Sequence, residues 1–332
     1  MRLIMMGTGP FAVPTFESLL NSPHRVMALV TRPAVAVQTR GKPKAVPQPM
    51  REVAQRHQLL TLAPDDVNAS AAQDELRKLD PELLVVCDYG QLLSAETLAI
   101  APLGGINLHG SLLPKYRGAA PVNWAIWQGD TETGVTVLHM TPRLDAGPSL
   151  VQASTPIGPD ETAQDLEPRL ARLGVEPVLT ALHMLEAWDR ASPLGIVQDR
   201  ALATKAPRLK KSDGCVDWCQ PAAVIYRQFR ALQPWPGVYT EWHRPGQPPL
   251  RLILLQLRPA DGPVAGPPGA VHASEDGTLC VATGNGAMSV SRLQPAGRNA
   301  MSAAEFLRGY QPRPGDTWGG APPVYPKSRL PS

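Results

Sequence analysis

The sequence predicts an α/β fold: a doubly wound, mainly parallel sheet followed by a small all-β barrel. Apolar strand-like runs alternate with amphipathic segments through the first half of the chain. After about residue 207 the texture changes to short β-rich runs cut by Gly and Pro. The length, 332 residues, exceeds one typical domain.

The elements follow in order. "RLIMMG" (2–7) reads as a buried strand and "PFAVPTFESLLNS" (10–22) as the helix after it. "RVMALVT" (25–31) is the next strand, and "QPMREVAQRHQ" (48–58) and "NASAAQDELRKLD" (68–80) are helical stretches. "ELLVVCDYG" (82–90), "GINLHG" (105–110) and "TGVTVLHM" (133–140) supply further strands. Residues 161–188 carry leucines at helical spacing, with Pro168 and Pro177 as the expected kinks or breaks. In the last third, "PLRLILLQLRP" (249–259) and the run 269–295 read as strands, with turn pairs at Asp276-Gly277 and Asn285-Gly286. The expected division is therefore a first domain over 1–190, a linker over 191–207, a barrel over 208–316, and a disordered Pro- and Gly-rich tail over 317–332.

Composition narrows the class. An apolar fraction of 43% and a charged fraction of 18% fit packed cores and argue against disorder. The net charge of +3 does not by itself announce a polyanion partner, but its distribution is uneven. Between Ser18 and Arg51 there is no Asp or Glu, while Arg25, Arg32, Arg40, Lys42, Lys44 and Arg51 are present. The four cysteines are too scattered for a disulfide framework, and Cys215 and Cys219 lack a second pair at zinc spacing, so no metal is expected. The start "MRLIMMGTG" has no signal-peptide pattern and no apolar run reaches spanning length, so a soluble, cytoplasmic protein without membrane partners is expected.

"GTGPFA" (7–12) has two glycines after a strand, but the third of a dinucleotide fingerprint is absent, which favours a tight strand-to-helix turn over a nicotinamide site. The stretch "INLHGSLLPKYRGAAP" (106–121) is different. Asn107 and His109 lie two apart in an extended segment, so their side chains point the same way and both can donate to one oxygen. Converging donors of this kind stabilise the oxyanion of acyl transfer. Asp145, just past the strand "TGVTVLHM", is a carboxylate able to orient an imidazole and relay a proton.

On these residues the chain resembles the folate-dependent formyltransferases, whose signature is matched by "NLHGSLLPKYRGAAPVNWAI". "TRGKPK" (39–44), "APRLKKSDGCVDW" (206–218), "RALQPWP" (230–236) and "LQPAGRNAM" (293–301) resemble the branch acting on aminoacylated tRNA. The resemblance covers about residues 1–315. It implies a Rossmann-like catalytic domain and an OB-like barrel. It also implies transfer of the formyl group of 10-formyltetrahydrofolate to methionyl-initiator tRNA, for translation initiation.

Carried over position by position, it implies Asn107, His109 and Asp145 as catalytic. Ser111, Leu112, Leu113 and Pro114, with Val86, Asp88, Tyr89 and Gly90, are implied as the folate-binding residues, and the loop with Arg40, Lys42 and Lys44 as tRNA-binding. Lys210 and Lys211, in a cationic cluster at the opening of the second domain, either clamp tRNA backbone or belong to a solvated hinge. No metal is implied, and a monomer is expected. Asp88 departs from the family's small apolar residue, and its carboxylate either bonds the pterin or faces solvent. Lys115 and Arg117 are open to polyglutamate, tRNA phosphates or solvent. A sugar-amine formyltransferase, or a hydrolase of the formyl donor, would share the catalytic stretch but would not need the basic loop.

Overall fold

The structure is a computed structural model that describes residues 1–34, 47–262, 264–273, 277–313 and 316–319. In the first part of the chain the strands are β1 (Arg2–Met6), β2 (Arg25–Val30), β3 (Thr61–Leu62), β4 (Leu83–Val86), β5 (Gly105–His109), β6 (Arg117–Gly118), β7 (Glu132–His139), β8 (Ser149–Pro156) and β9 (Lys205–Ala206). The helices between them are α1 (Val13–Leu20), α2 (Pro49–Arg56), α3 (Ser70–Lys78), α4 (Ala95–Leu98), α5 (Pro121–Gln128), α6 (Ala163–Leu173) and α7 (Val175–Glu186).

The seven-stranded sheet runs β3-β2-β1-β4-β5-β7-β8. Pairing is parallel from β3 to β5 and antiparallel at β7 and β8. Leu3, Ile4, Met5 and Met6 are all fully buried, which is why β1 shows no apolar–polar alternation. The chain order reverses at β1, with β2 on one side and β4 on the other. A crevice at the carboxyl ends of β1 and β4 is the consequence. Its two walls are tied together: Thr8 donates from its backbone N–H to Asp88 O at 3.0 Å, and from Oγ1 to Tyr89 O at 3.3 Å.

Two expectations need correction here, and one strand goes unread in the sequence. The helical pattern over 161–188 breaks at Gly174, not at its prolines; Pro168 lies inside α6 and Pro177 in the first turn of α7. A Cβ on Gly174 would stand 2.5 Å from Leu108 Cδ2, so close approach to β5 sets the break. Strand β8 escapes the sequence reading because it is an edge strand with exposed alternate residues and weak apolar signal. Residues 191–207, expected as a linker, are built into the first unit: Ile196 bridges to Ser149, and β9 pairs in parallel with β6.

The chain divides into two compact units. One comprises residues 1–122, 132–156 and 165–207; the other comprises 123–131, 157–164 and the chain from 208 onward. The division departs from a single boundary near residue 190, because two excursions join the second unit through α8 (Ala222–Ala231). Tyr226 Oη donates to Asp160 Oδ1 at 2.7 Å, Arg230 Nη1 to Glu161 O at 3.0 Å, and Asn123 Nδ2 to Ala231 O at 2.7 Å.

The second unit contains β10 (Val238–Arg244), β11 (Gln247–Pro259), β12 (Val271–Ala273), β13 (Leu279–Ala282), β14 (Ala287–Pro295), β15 (Met301–Ser302), α9 (Ala303–Tyr310) and β16 (Thr317–Gly319). Its pairings are antiparallel, in the order β12-β13-β14-β11-β10-β16, with β15 against β14. A bridge between Ala270 and Thr317, with Trp318 N–H donating to Gly269 O at 2.8 Å, brings the ends together into a nearly closed, OB-like barrel. The Asn285-Gly286 turn joins β13 to β14 with Gly286 at φ +85°. Asp276 of the other turn pair lies outside the described residues.

The tail expected to be disordered from residue 317 begins instead with strand β16, because Trp318 is 2% exposed and packs its ring 6.3 Å from Phe306. Phe306 in turn meets Trp242 at 5.2 Å. Trp318→Ala should therefore destabilise the second unit by about 3–5 kcal/mol, the usual cost of truncating a buried aromatic. Urea unfolding followed by circular dichroism checks this, and an unchanged midpoint would show that β16 contributes nothing.

Candidate active site

Strand β5 presents Asn107 and His109 on one face and Ile106 and Leu108 on the other. The apolar face is sealed by Leu108 against Gly174, at the start of α7. The polar pair is thereby held on a rigid strand in the middle of the sheet, with His109 only 6% exposed.

Asp145 reaches this pair by an indirect route. Because β7 runs antiparallel to β5, its end at His139 lies opposite Ile106, beside the start of β5. The loop after β7 must fold back across the sheet face to bring Asp145 to Asn107 and His109. It does so with Asp145 at φ +46°, a left-handed conformation costing a non-glycine residue roughly 1–2 kcal/mol. Gly147 follows where a Cβ would stand 1.8 Å from His139 O, so only glycine permits the close return.

The carboxylate is the meeting point of the cluster. Asn107 Nδ2 lies 3.4 Å from Asp145 Oδ1, Gly118 N–H donates to Oδ2 at 2.9 Å, and His109 Nδ1 stands 3.8 Å from Oδ2. The histidine and aspartate side chains are 6% and 8% exposed. His109 Nε2 is 2.9 Å from Tyr116 O. A carbonyl can only accept, so Nε2 carries a proton and Nδ1 is the nitrogen turned toward Asp145. The amide and the imidazole both face the Asp145 carboxylate, the amide at Oδ1 and the imidazole at Oδ2.

Ser111, Leu112, Leu113 and Pro114 follow β5 directly. Ser111 is fully buried and its Oγ donates to Lys115 O at 2.7 Å. Leu113 N–H donates to Thr136 Oγ1 at 3.0 Å, and Leu113 O accepts from Gln152 Nε2 at 2.8 Å, ahead of a cis bond to Pro114. These backbone groups fix the segment, and Leu112 keeps its side chain against Gly134.

Val86 ends β4 and Asp88, Tyr89 and Gly90 follow it, with Val86 and Tyr89 buried. Asp88 sits at φ +49° with its carboxylate over the first turn; a Cβ on Gly9 would stand 1.8 Å from Asp88 Oδ2. The residue is exposed as a whole, and its carboxylate lies against Gly9. Desolvation, with the negative charge of Glu167 adding to it, pushes that carboxyl up to about 6.

Arg40, Lys42 and Lys44 lie outside the described residues. Lys210 and Lys211 are exposed on the second unit. Arg117 is not a free cation: Nε and Nη2 both donate to Gln198 Oε1, at 3.1 and 2.7 Å. Gln198 is the residue that sequence reasoning misses, because it stands in a segment without periodicity and makes contacts far away in the chain. Among the described residues no group of three His, Cys, Asp or Glu side chains could hold a metal ion, and no helix is long and apolar enough to cross a membrane.

Comparison with known proteins matches residues 1–182 to the family described as formyl transferase, and residues 208–311 to the formyl transferase C-terminal domain. The chain belongs to the formyl transferase family. The methionyl-tRNA formyltransferase of Rhodopirellula baltica is 43% identical over 319 residues, covering 94% of each chain. That of Geobacter sulfurreducens is 41% identical over 322 residues, covering 97% of this chain and 98% of its own. Among solved structures, the N-formyltransferase from Helicobacter canadensis, in complex with folinic acid and dTDP-3-aminofucose, superposes with a TM-score of 0.62 at 14% identity, over 87% of this chain and 98% of its own. HypX from Aquifex aeolicus, in complex with tetrahydrofolic acid, superposes with a TM-score of 0.59 at 18% identity, over 93% of this chain and 47% of its own. Both superpositions bear on the fold alone.

The position of Asp88 has a consequence for stability. Its carboxyl is raised in the folded state above the usual 3.8, so the folded chain binds the proton more tightly than the unfolded one. The stabilisation is complete below the unfolded value and is lost as pH rises through about 6. Asp88→Asn removes this penalty, so the variant should melt higher than the parent above pH 6 and level with it below pH 4. Thermal melts of both proteins across that range test the sign; a gap that closes as pH rises would refute it.

Proposed function

We propose that the chain transfers the formyl group of 10-formyltetrahydrofolate to the amino group of methionyl-initiator tRNA, giving the formylated initiator for translation. The observation that carries this reading is full-length identity of about 40% to relatives named for that reaction, and the Asn107–His109–Asp145 cluster supports it.

The folate co-substrate supplies an activated formyl group, and the remaining work falls to the chain. Attack by the methionyl amine forms the new C–N bond and places negative charge on the formyl oxygen. Asn107 would stabilise that charge by donating to it from its amide, and His109 from Nδ1, the ring nitrogen that Tyr116 O does not hold. Asp145 would hold the imidazole and receive the proton lost by the amine. That proton then passes to the folate nitrogen as its bond to the formyl carbon breaks. The rigid strand beneath Asn107 and His109 suits this task, since donors fixed in advance need no reorganisation when charge develops.

Ser111, Leu112, Leu113 and Pro114 on one side, and Val86, Asp88, Tyr89 and Gly90 on the other, would receive the folate. The Asp88 carboxylate over Gly9, where a Cβ would fill the space, is an acceptor matched to the amino and ring N–H groups of a pterin. The first unit would then carry the chemistry, while Lys210 and Lys211 of the second unit, with Arg40, Lys42 and Lys44, would meet tRNA phosphates. The protein would act as a cytoplasmic monomer without a metal.

Mixing the protein with charged initiator tRNA and formyl donor, and measuring formyl-methionine, tests the reading; failure to formylate would defeat it. Asn107→Ala and His109→Ala should each lower kcat by about 10²–10³-fold, the usual cost of one oxyanion donor. A His109→Ala enzyme with parental turnover would remove that residue from the mechanism. Changing Lys210 and Lys211 together to Ala should flatten the log–log dependence of tRNA affinity on salt by roughly one unit for each lost phosphate contact. Titrations at several salt concentrations measure it, and an unchanged slope would assign both lysines to solvent.

A further inference from the structure

Resting on the reading of Asp145 as the proton-handling group, we propose that Gln198 is a positioning residue for it. Gln198 acts by clamping the backbone of the Asp145 turn to the guanidinium of Arg117. The amide is 8% exposed and uses its full capacity. Its Nε2 donates to Asp145 O at 2.9 Å and to Gly147 O at 2.7 Å, and its Oε1 accepts both Arg117 donors.

The orientation of this amide follows from chemistry. A guanidinium only donates and a carbonyl only accepts, so the oxygen must face Arg117 and the NH2 must face the turn. No other arrangement satisfies all partners.

The clamp acts where the turn needs it. Asp145 lies in the left-handed region and Gly147 is pressed against His139 O, so the turn is held in a costly conformation by its surroundings. The two carbonyls that Gln198 takes flank that conformation. On the far side, Arg117 leads directly into Gly118, whose N–H binds Asp145 Oδ2. Gln198 therefore fixes the backbone of the carboxylate and, through Arg117, the donor that orients its side chain. The same segment fastens the neighbouring loop: Tyr116 N–H donates to Thr204 Oγ1 at 2.8 Å, and Arg117 N–H to Thr204 O at 2.9 Å. Tyr116 O is the group that holds His109 Nε2. His109 and Asp145 are thus both anchored from residues 198–204 and the segment they fasten.

A residue that acts this way affects turnover more than donor binding, because a displacement of about 1 Å at reacting groups can cost on the order of 10²-fold in rate. Two variants separate the contributions. Gln198→Met keeps the volume and loses every hydrogen bond. Gln198→Glu keeps an acceptor for Arg117 but has no donor for Asp145 O and Gly147 O. Formylation of charged initiator tRNA by the full-length protein should show kcat lowered roughly 10- to 100-fold in both, with KM for the formyl donor within about threefold of the parent.

In an Asp145→Ala background the further change Gln198→Met should cost nothing more, since the group it positions is gone. This coupling distinguishes positioning from a contribution to stability alone. If Gln198→Met does not fold, Gln198→Glu, which keeps the side-chain size and the acceptor for Arg117, decides. A kcat within about twofold of the parent, with only a lowered melting temperature, would overturn the proposal, as would a loss confined to KM or full additivity with Asp145→Ala. Full activity of Asp145→Ala alone would overturn instead the reading of the site on which this inference rests.

Discussion

The site depends on the antiparallel step from β5 to β7. A parallel neighbour would deliver its following loop to the same edge as His109, and an aspartate there would need no special backbone. Here the loop leaves beside Ile106 and has to return over the face of the sheet. That return accounts for the left-handed Asp145, for the glycine at 147 and for the amide clamp from residue 198. One topological choice therefore sets the cost that several distant residues offset.

Much of the first unit is legible in sequence because its strands are buried on both faces and its helices are amphipathic, and both are properties of consecutive residues. The Asn107–His109 pair is legible for the same reason: the two-residue period of a strand fixes their common direction. Asp145 can be singled out as a carboxylate after a strand, but its route to the pair cannot, since antiparallel pairing is a non-local fact. Strand β8, strand β9 and Gln198 are illegible on the same ground. Strand β9 and Gln198 carry no period of their own, the alternation in β8 is only weakly apolar, and what defines all three is a partner as much as 88 positions away, as for Arg117 and Lys205.

The second unit shows the converse. Its turn at Asn285-Gly286 is plain, yet its closing strand lies in a stretch whose Pro and Gly content reads as disorder. A short strand needs little propensity when one of its residues enters an aromatic core already built from Trp242 and Phe306. Likewise α8 collects two short excursions from the first part of the chain, and no compositional shift marks where those excursions begin. Boundaries read from texture locate linkers well only where each domain is contiguous.

The pairing of Arg117 with a neutral amide has its own electrostatic logic. A carboxylate in place of Gln198 would bind the guanidinium more strongly, but it would face two carbonyl oxygens with lone pairs and repel them. An amide accepts the positive charge on one end and offers N–H donors on the other. Hydrogen bonds in series polarise one another, so donation from Arg117 into Oε1 makes the Nε2 protons better donors to Asp145 O and Gly147 O. The cation is thereby used to tighten a backbone turn rather than to neutralise an acid, and the Asp145 carboxylate keeps its charge free of a direct contact with the guanidinium. An ion pair at this place would compete with His109 for Asp145; a polarised amide holds the turn and leaves the carboxylate to the imidazole.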